Sequence, residues 1–482
     1  MLRSAKRLLR LANVGYEPVS AINVKKIDNL KCYSTRPRDF VESSTANIVR
    51  SQFADVALSP LPYADFIFEN IGQFGHKVAL ECAITGRSYT YEVVQLFARK
   101  FGSSLVRRGL RKGDVLGIIC PNIPEFPIVF LGVTCVGGVA STVNPTYTSE
   151  EIARQLQNSN ATFVVTVGPL ADKVKEAISH CPLVKEAFVI GGDADGMTPI
   201  SSLAVENDAA LAGCPPIDVA EDLLVLPYSS GTTGLPKGVM LTHHNITTNI
   251  LQATDPNITE QFTSDDTVLA ILPFFHSYAL TTVMSIGLRN GLKIVTLPQF
   301  EPESFMKALH VYKPNLLHLV PPLVHFLGCH PQLNVKDLCN LRLIACGAAP
   351  LSISIVKDLL QRIHPQTVSF QEGYGMTELS PVSHFCPKYS TRIGTCGVLI
   401  ANSEAKIVDL NTGEALGPNC EGELYVRGPQ VMKGYLNNEE ATRETIDEDG
   451  WLHTGDIGSY DEEGFFHVFD RLKELIKVKG LQ

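Results

Sequence analysis

Residues 229 to 238 read Ser-Ser-Gly-Thr-Thr-Gly-Leu-Pro-Lys-Gly, and no other stretch constrains this chain as tightly. Ser229, Ser230, Thr232 and Thr233 supply hydroxyls, Gly231, Gly234 and Gly238 supply freedom, and Lys237 supplies charge, directly after the apolar run 223–227. Glycines let successive backbone N–H groups turn inward as an anion-binding concavity. The hydroxyls add neutral donors. Such a loop suits a polyphosphate. It is not a Walker A loop, because Pro236 stands where that motif carries the glycine before its lysine.

Charge is unevenly spread. Nine basic residues (Arg3, Lys6, Arg7, Arg10, Lys25, Lys26, Lys31, Arg36, Arg38) face only Glu17 and Asp28 in residues 1–38, a balance of +7 within a chain of net −9. The remaining body is therefore strongly acidic, which gives no support for nucleic-acid binding. The leader has the character of a mitochondrial presequence: Leu2, Ala5, Leu9 and Ala12 share one helical face, and the basic residues crowd another. The expected location is mitochondrial, with peroxisomal or cytoplasmic placement as the alternative. The longest apolar run, 128–139, falls short of the ~20 residues a membrane span requires. The 12 cysteines form no C-x-x-C pair and read as reduced intracellular thiols.

From about 114 to 375 short apolar strands alternate with amphipathic helices. Strands are predicted over 114–120, 161–167, 186–190, 292–297, 316–320 and 341–345, and helices over 148–157, 171–180 and 303–311. Thr148 and Glu151 form a capping-box pattern at the first of these helices. The alternation predicts an α/β fold with doubly wound sheets, and binding loops at the strand carboxyl ends. After Gly394 the turn signals Asn411-Thr412-Gly413, Asp449-Gly450 and Glu463-Gly464 separate short alternating runs, which predicts antiparallel β structure.

Further motifs carry chemistry. In Gly373-Tyr374-Gly375-Met376-Thr377-Glu378, Tyr374 offers a flat ring to a purine and Thr377 a hydroxyl to a phosphate. Glu378 is a hard oxygen ligand suited to Mg²⁺. In Trp451-Leu452-His453-Thr454-Gly455-Asp456, the Asp456 carboxylate can accept hydrogen bonds from two vicinal hydroxyls, as a ribose presents. Pro273-Phe274-Phe275-His276-Ser277-Tyr278 places a histidine among aromatics.

The string Tyr228 to His243, YSSGTTGLPKGVMLTH, resembles the phosphate loop of the AMP-forming (adenylate-forming) ligases, in the branch of 4-coumarate–CoA ligase, acyl-CoA synthetases and firefly luciferase. The resemblance runs from about Leu61 onward. It implies ATP, Mg²⁺ and coenzyme A as cofactor and co-substrates, and a small carboxylic acid as substrate. The phosphate loop would comprise Ser229, Ser230, Gly231, Thr232, Thr233, Gly234 and Lys237. Cys346-Gly347-Ala348-Ala349-Pro350 resembles the family's adenine-lining segment, usually Ser-Gly-Gly-Ala-Pro, so Ala348, Ala349, Pro350, Tyr374, Gly375 and Thr377 would line the nucleotide. Asp456 and Arg471 would hold the ribose and Glu378 the metal. The resemblance places His276 beside the substrate carboxylate. Glu372 stands where relatives often carry Gln, near the acyl pocket. Gly422 to Gly428 reads Gly-Glu-Leu-Tyr-Val-Arg-Gly where plant coumarate ligases read Gly-Glu-Ile-Cys-Ile-Arg-Gly, which weakens a claim for coumarate specifically.

The implied organisation is a presequence over 1–38, a large AMP-binding domain over 39–393, a β-rich subdomain over 394–469, and over 470–482 a hinge at Asp470 with the start of a mobile segment carrying Lys477. Relatives continue into a further C-terminal domain that carries the adenylating lysine. From the sequence as written, little acyl-CoA synthesis is expected, and a nucleotide- or acid-binding short form is the alternative reading.

Overall fold

The computed structural model describes residues 47–205, 207–229, 235–363, 368–388 and 390–472. The expected presequence over 1–38, the loop residues Ser230 to Gly234, and Lys477 lie outside these described residues.

Two large sheets carry most of the strands described up to Leu399. One has the order Gly434–Tyr435, Lys237–Thr242, Leu223–Ser229, Val139–Thr142, Val115–Ile119, Ala161–Val167, Glu186–Ile190, Thr198–Pro199. Its pairings are parallel from Leu223–Ser229 outward and antiparallel at the other edge. The other has the order Val398–Leu399, Val382–Phe385, Ser369–Gly375, Leu343–Cys346, Leu316–Leu319, Thr267–Ala270, Lys293–Thr296, Val78–Cys82, Ser88–Thr90. Its six inner strands are parallel, and antiparallel strands flank them. Parallel strands covered on both faces read as continuous apolar runs: Val115–Ile119 and Leu343–Cys346 are buried at every position. The apolar run 128–139 resolves into a fully buried helix, Glu125–Thr134, and the start of a buried strand, Val139–Thr142. Among the described residues no helix is long and apolar enough to cross a membrane.

The third sheet is antiparallel, with the order Val49–Arg50, Glu404–Val408, Gly422–Arg427, Leu452–Tyr460, Phe466–Arg471, and Ala415–Leu416 pairing beside Glu404–Val408. It matches the β structure expected after Gly394. Gly413, Gly450 and Gly464 all adopt positive φ, as the turns in which they were placed require. Along Gly422–Arg427 burial alternates residue by residue, so this sheet buries one face. The segment after 394 also lends Gly434–Tyr435 to the edge of the first large sheet. That excursion carries Tyr435 to the phosphate-loop hairpin.

Predicted elements recur with small shifts. Ala161–Val167 and Glu186–Ile190 have the expected bounds, and the helix Ser149–Asn158 opens with the Thr148–Glu151 capping box, both reciprocal bonds present.

Candidate active site

Apart from Asp456, Asp470 and Arg471, which belong to the antiparallel third sheet, the described candidate residues gather near the carboxyl ends of parallel strands from both large sheets. Leu223–Ser229 runs into the phosphate loop, and the chain returns antiparallel as Lys237–Thr242, with Lys237 opposite Ser229. The two ends of the loop are therefore described even though 230–234 are not. Ser229 Oγ donates to Glu378 Oε1 at 2.9 Å, and Tyr435 OH donates to the same oxygen at 2.8 Å. Lys237 Nζ lies 4.7 Å from the centre of the Tyr435 ring. Two hydroxyls from separate stretches thus meet on the carboxylate of Glu378, which is 5% exposed, and Lys237 lies over the ring of one of them. Burial and the Glu378 charge both push the Tyr435 phenol up, so it stays a donor.

Glu378 belongs to the short 3₁₀ turn Thr377–Leu379 that follows Ser369–Gly375. Gly375 has to be glycine: a Cβ there would lie 2.0 Å from the Pro381 carbonyl oxygen. Close backbone approach at this point turns the chain and delivers Thr377 and Glu378 to the site. Thr377 Oγ1 lies 3.2 Å from Ser277 Oγ.

Ser277 and His276 follow the strand Thr267–Ala270, on a loop anchored by Asn122. The Asn122 amide donates to the carbonyls of Ala270 and Leu272 and accepts from the Phe274 N–H. Thr142 Oγ1 donates to Phe275 O at 2.8 Å from the neighbouring sheet. His276 Nδ1 accepts the Tyr278 N–H at 3.2 Å, so in the neutral ring Nε2 carries the proton. Burial holds the His276 imidazole below its ordinary range, favouring that neutral form. His276, Ser277 and Thr377 share a small cavity with Thr142, Asn144, Gln155 and Tyr228. Of the last four, Tyr228 opens the string that carries the family resemblance, whereas Thr142, Asn144 and Gln155 were not singled out from sequence. The chain then enters a seven-residue π-helix, Ala279–Ser285, a rare geometry that clusters at functional sites.

A second group forms around Asp456. Tyr374 OH donates to Asp456 Oδ2 at 2.6 Å, and Arg471 Nε lies 3.3 Å from Oδ1. Asp456 is 5% exposed, and Arg471 faces it across paired strands. Burial first, then the Asp456 charge, raises the Tyr374 phenol well above its ordinary range. Its ring packs edge-on to His384 at 5.7 Å. Asp470 accepts the Arg471 N–H at 2.8 Å and is exposed.

Ala348, Ala349 and Pro350 sit exposed beyond the strand Leu343–Cys346. Ala348 adopts φ +72°, a left-handed conformation that favours glycine. The position at which the family pattern carries glycine thus holds a strained alanine. Glu372, paired in register with Cys346, is half-buried; its Oε2 accepts the Gly394 N–H at 2.7 Å, and burial raises its pKa.

The residues around Glu378 suit a hard divalent cation in one specific way. The described residues contain no group of three or more acidic, His or Cys side chains able to hold an ion. A single carboxylate, oriented by two hydroxyl donors on Oε1, fits Mg²⁺, which keeps several waters and relies on substrate phosphates for further ligands.

The chain is similar to 4-coumarate–CoA ligase 1 of Narcissus pseudonarcissus, 38% identical over 454 residues that cover 92% of this chain and 81% of the relative. Its fold is similar to a long-chain-fatty-acid–CoA ligase of Archaeoglobus fulgidus, with TM-score 0.76 and 28% identity over 87% of this chain and 86% of that one. It is also similar to ATP-bound MatB of Rhodopseudomonas palustris, with TM-score 0.77 and 27% identity over 87% and 80% of the two chains. The model of the AMP-binding enzyme family matches residues 67–436. With three quarters of its length under that model, the chain belongs to the AMP-binding enzyme family.

Proposed function

We propose that this protein activates a carboxylic acid with ATP to an acyl-AMP and transfers the acyl group to coenzyme A. The observation that carries this reading is the convergence of Ser229 and Tyr435 on Glu378, with Lys237 over the Tyr435 ring and Tyr374, Asp456 and Arg471 grouped beside the same segment.

In the first step a carboxylate oxygen attacks the α-phosphorus of ATP. A bond from acyl oxygen to phosphorus forms, the bond to the bridging oxygen of pyrophosphate breaks, and pyrophosphate leaves. Both reactants are anionic, so the site has to supply donors and positive charge where charge accumulates. Lys237 supplies a mobile cation at the end of the phosphate loop. Thr377 and Ser277 offer hydroxyls, and His276 offers a neutral Nε2–H to the acid's carboxylate. Tyr374 covers the base and shares Asp456 with the ribose hydroxyls, and Ala348 to Pro350 line the adenine. Mg²⁺ held at Glu378 would neutralise phosphate charge. In the second step the coenzyme A sulfur attacks the acyl carbon, AMP departs, and the thiol proton is released. Asp470 is the hinge residue for the reorientation between steps.

The acid remains a class: aromatic propenoates and medium or long aliphatic acids both fit the family. A mitochondrial address is our reading of residues 1–38, on their charge pattern.

The test is product identity. Purified protein, Mg-ATP, coenzyme A and a panel of aromatic and aliphatic acids should yield AMP and pyrophosphate only in the presence of a productive acid. Formation of ADP, or ATP cleavage indifferent to acid, would contradict the proposal.

A further inference from the structure

On the side facing Gly422–Arg427, Asp456 does not sit on a regular ladder. Glu423 pairs with Ile457 and Tyr425 pairs with His453, so three residues (Thr454, Gly455, Asp456) stand opposite the single residue Leu424. A bulge of this kind leaves backbone groups without ladder partners and re-aims a side chain. The Gly455 and Asp456 N–H groups are taken by side chains. Thr454 Oγ1 accepts the Asp456 N–H at 3.1 Å and donates to Leu424 O at 2.7 Å. Glu423 Oε1 reaches across from the facing strand to accept the Gly455 N–H at 3.0 Å. Gly455 itself adopts φ +71°.

From this geometry we infer that Glu423 is a positioning residue for the nucleotide ribose. Its carboxylate replaces the missing ladder acceptor and locks the bulge that aims Asp456. It touches no substrate and acts through Asp456. The inference rests on the proposed ribose role of Asp456. It also gives a specific duty to the motif Gly422 to Gly428, which the chemistry above leaves unused. Loss of the acceptor frees the Gly455 N–H, the bulge relaxes, and the Asp456 carboxylate loses its direction while the phosphate group around Glu378 stays intact.

The experiment compares two ligands, ATP and dideoxy-ATP, which lacks both ribose hydroxyls. Their dissociation constants are measured by calorimetry in the full chain and in Asp456→Ala, Glu423→Ala, Glu423→Asp and Glu423→Gln. A hydrogen bond to a charged group contributes enough for a preference of about tenfold or more for ATP in the unaltered protein. Asp456→Ala should abolish that preference. Glu423→Ala should bring it to within about twofold of unity, with dideoxy-ATP affinity unchanged. Glu423→Asp, which keeps the charge but draws the acceptor back by one methylene, should do the same if the alanine variant does not fold. Glu423→Gln keeps an Oε1 acceptor and should retain the preference. A folded Glu423→Ala or Glu423→Asp that still prefers ATP tenfold overturns the inference, as does equal weakening of both ligands. Retention of the preference in Asp456→Ala would instead remove the ribose reading, and the inference with it.

Discussion

Ala348 provides a prediction in which two adjacent, chemically identical substitutions should have opposite signs. Ala348 holds φ +72° in the exposed turn after Leu343–Cys346, whereas Ala349, also exposed, has no positive φ. A left-handed conformation costs an L-residue roughly 1–2 kcal/mol, and glycine escapes that cost. Glycine also enlarges the unfolded ensemble, which costs roughly 0.4–1 kcal/mol at a position where alanine is unstrained. At 348 the relieved strain exceeds the entropy term, so Ala348→Gly should stabilise by about 0.5–1 kcal/mol. At 349 only the entropy term acts, so Ala349→Gly should destabilise by roughly 0.4–1 kcal/mol. Neither side chain is buried, so no cavity term confuses the comparison. Urea unfolding followed by circular dichroism measures both, with a midpoint shift at constant slope as the criterion. Destabilisation by Ala348→Gly, or shifts of the same sign in the two variants, would refute the reasoning.

Three further outcomes follow from the geometry. Tyr435→Phe keeps the ring beneath Lys237 but removes the donor to Glu378, a charged hydrogen bond of about 1.5–3 kcal/mol; urea unfolding should show that loss, and calorimetry a weaker Mg-ATP affinity. Gly375→Ala places a methyl against the Pro381 carbonyl and should abolish ATP binding even where the protein still folds, as judged by circular dichroism. Burial holds the imidazoles of His243, His318 and His384 down at about 4, about 3 and about 3, so the unfolded chain binds protons that the folded chain refuses. Stability should therefore be level above pH ~6.5, the unfolded value, and fall as pH drops from there toward 4. The fall should be shallower in His318→Gln, measured by urea midpoints across pH.

Local features were legible in the sequence because local physics determines them. The Thr148–Glu151 box set the start of its helix, and glycine turns marked the third sheet. The phosphate loop and the Tyr374 and Asp456 motifs were visible because unusual residue types cluster where chemistry occurs. Long-range placement was not legible. Nothing near Tyr435 announces that Gly434–Tyr435 leaves the β-rich segment to pair with Val239 and Met240. The alternation of strands and helices did not say which strands share a sheet. Lys237 read as a mobile charge, while the structure stacks it on an aromatic ring contributed from almost two hundred residues away. The alanine at 348 stood where the resembled pattern carries glycine; only its dihedral angle reveals the strain. Glu423 looked like one more charged residue on an alternating strand until the bulge opposite it was seen.

The most direct test of the central claim is Mg-ATP titration by calorimetry of the unaltered protein beside Glu378→Ala and Lys237→Ala. The account predicts saturable binding by the unaltered protein. Affinity should fall by about tenfold or more in each variant, since each loses a charged contact to the phosphates or their metal. The Glu378→Ala deficit should narrow when Mg²⁺ is withheld from both proteins. Equal Mg-ATP affinity in all three proteins would contradict the assignment of the site.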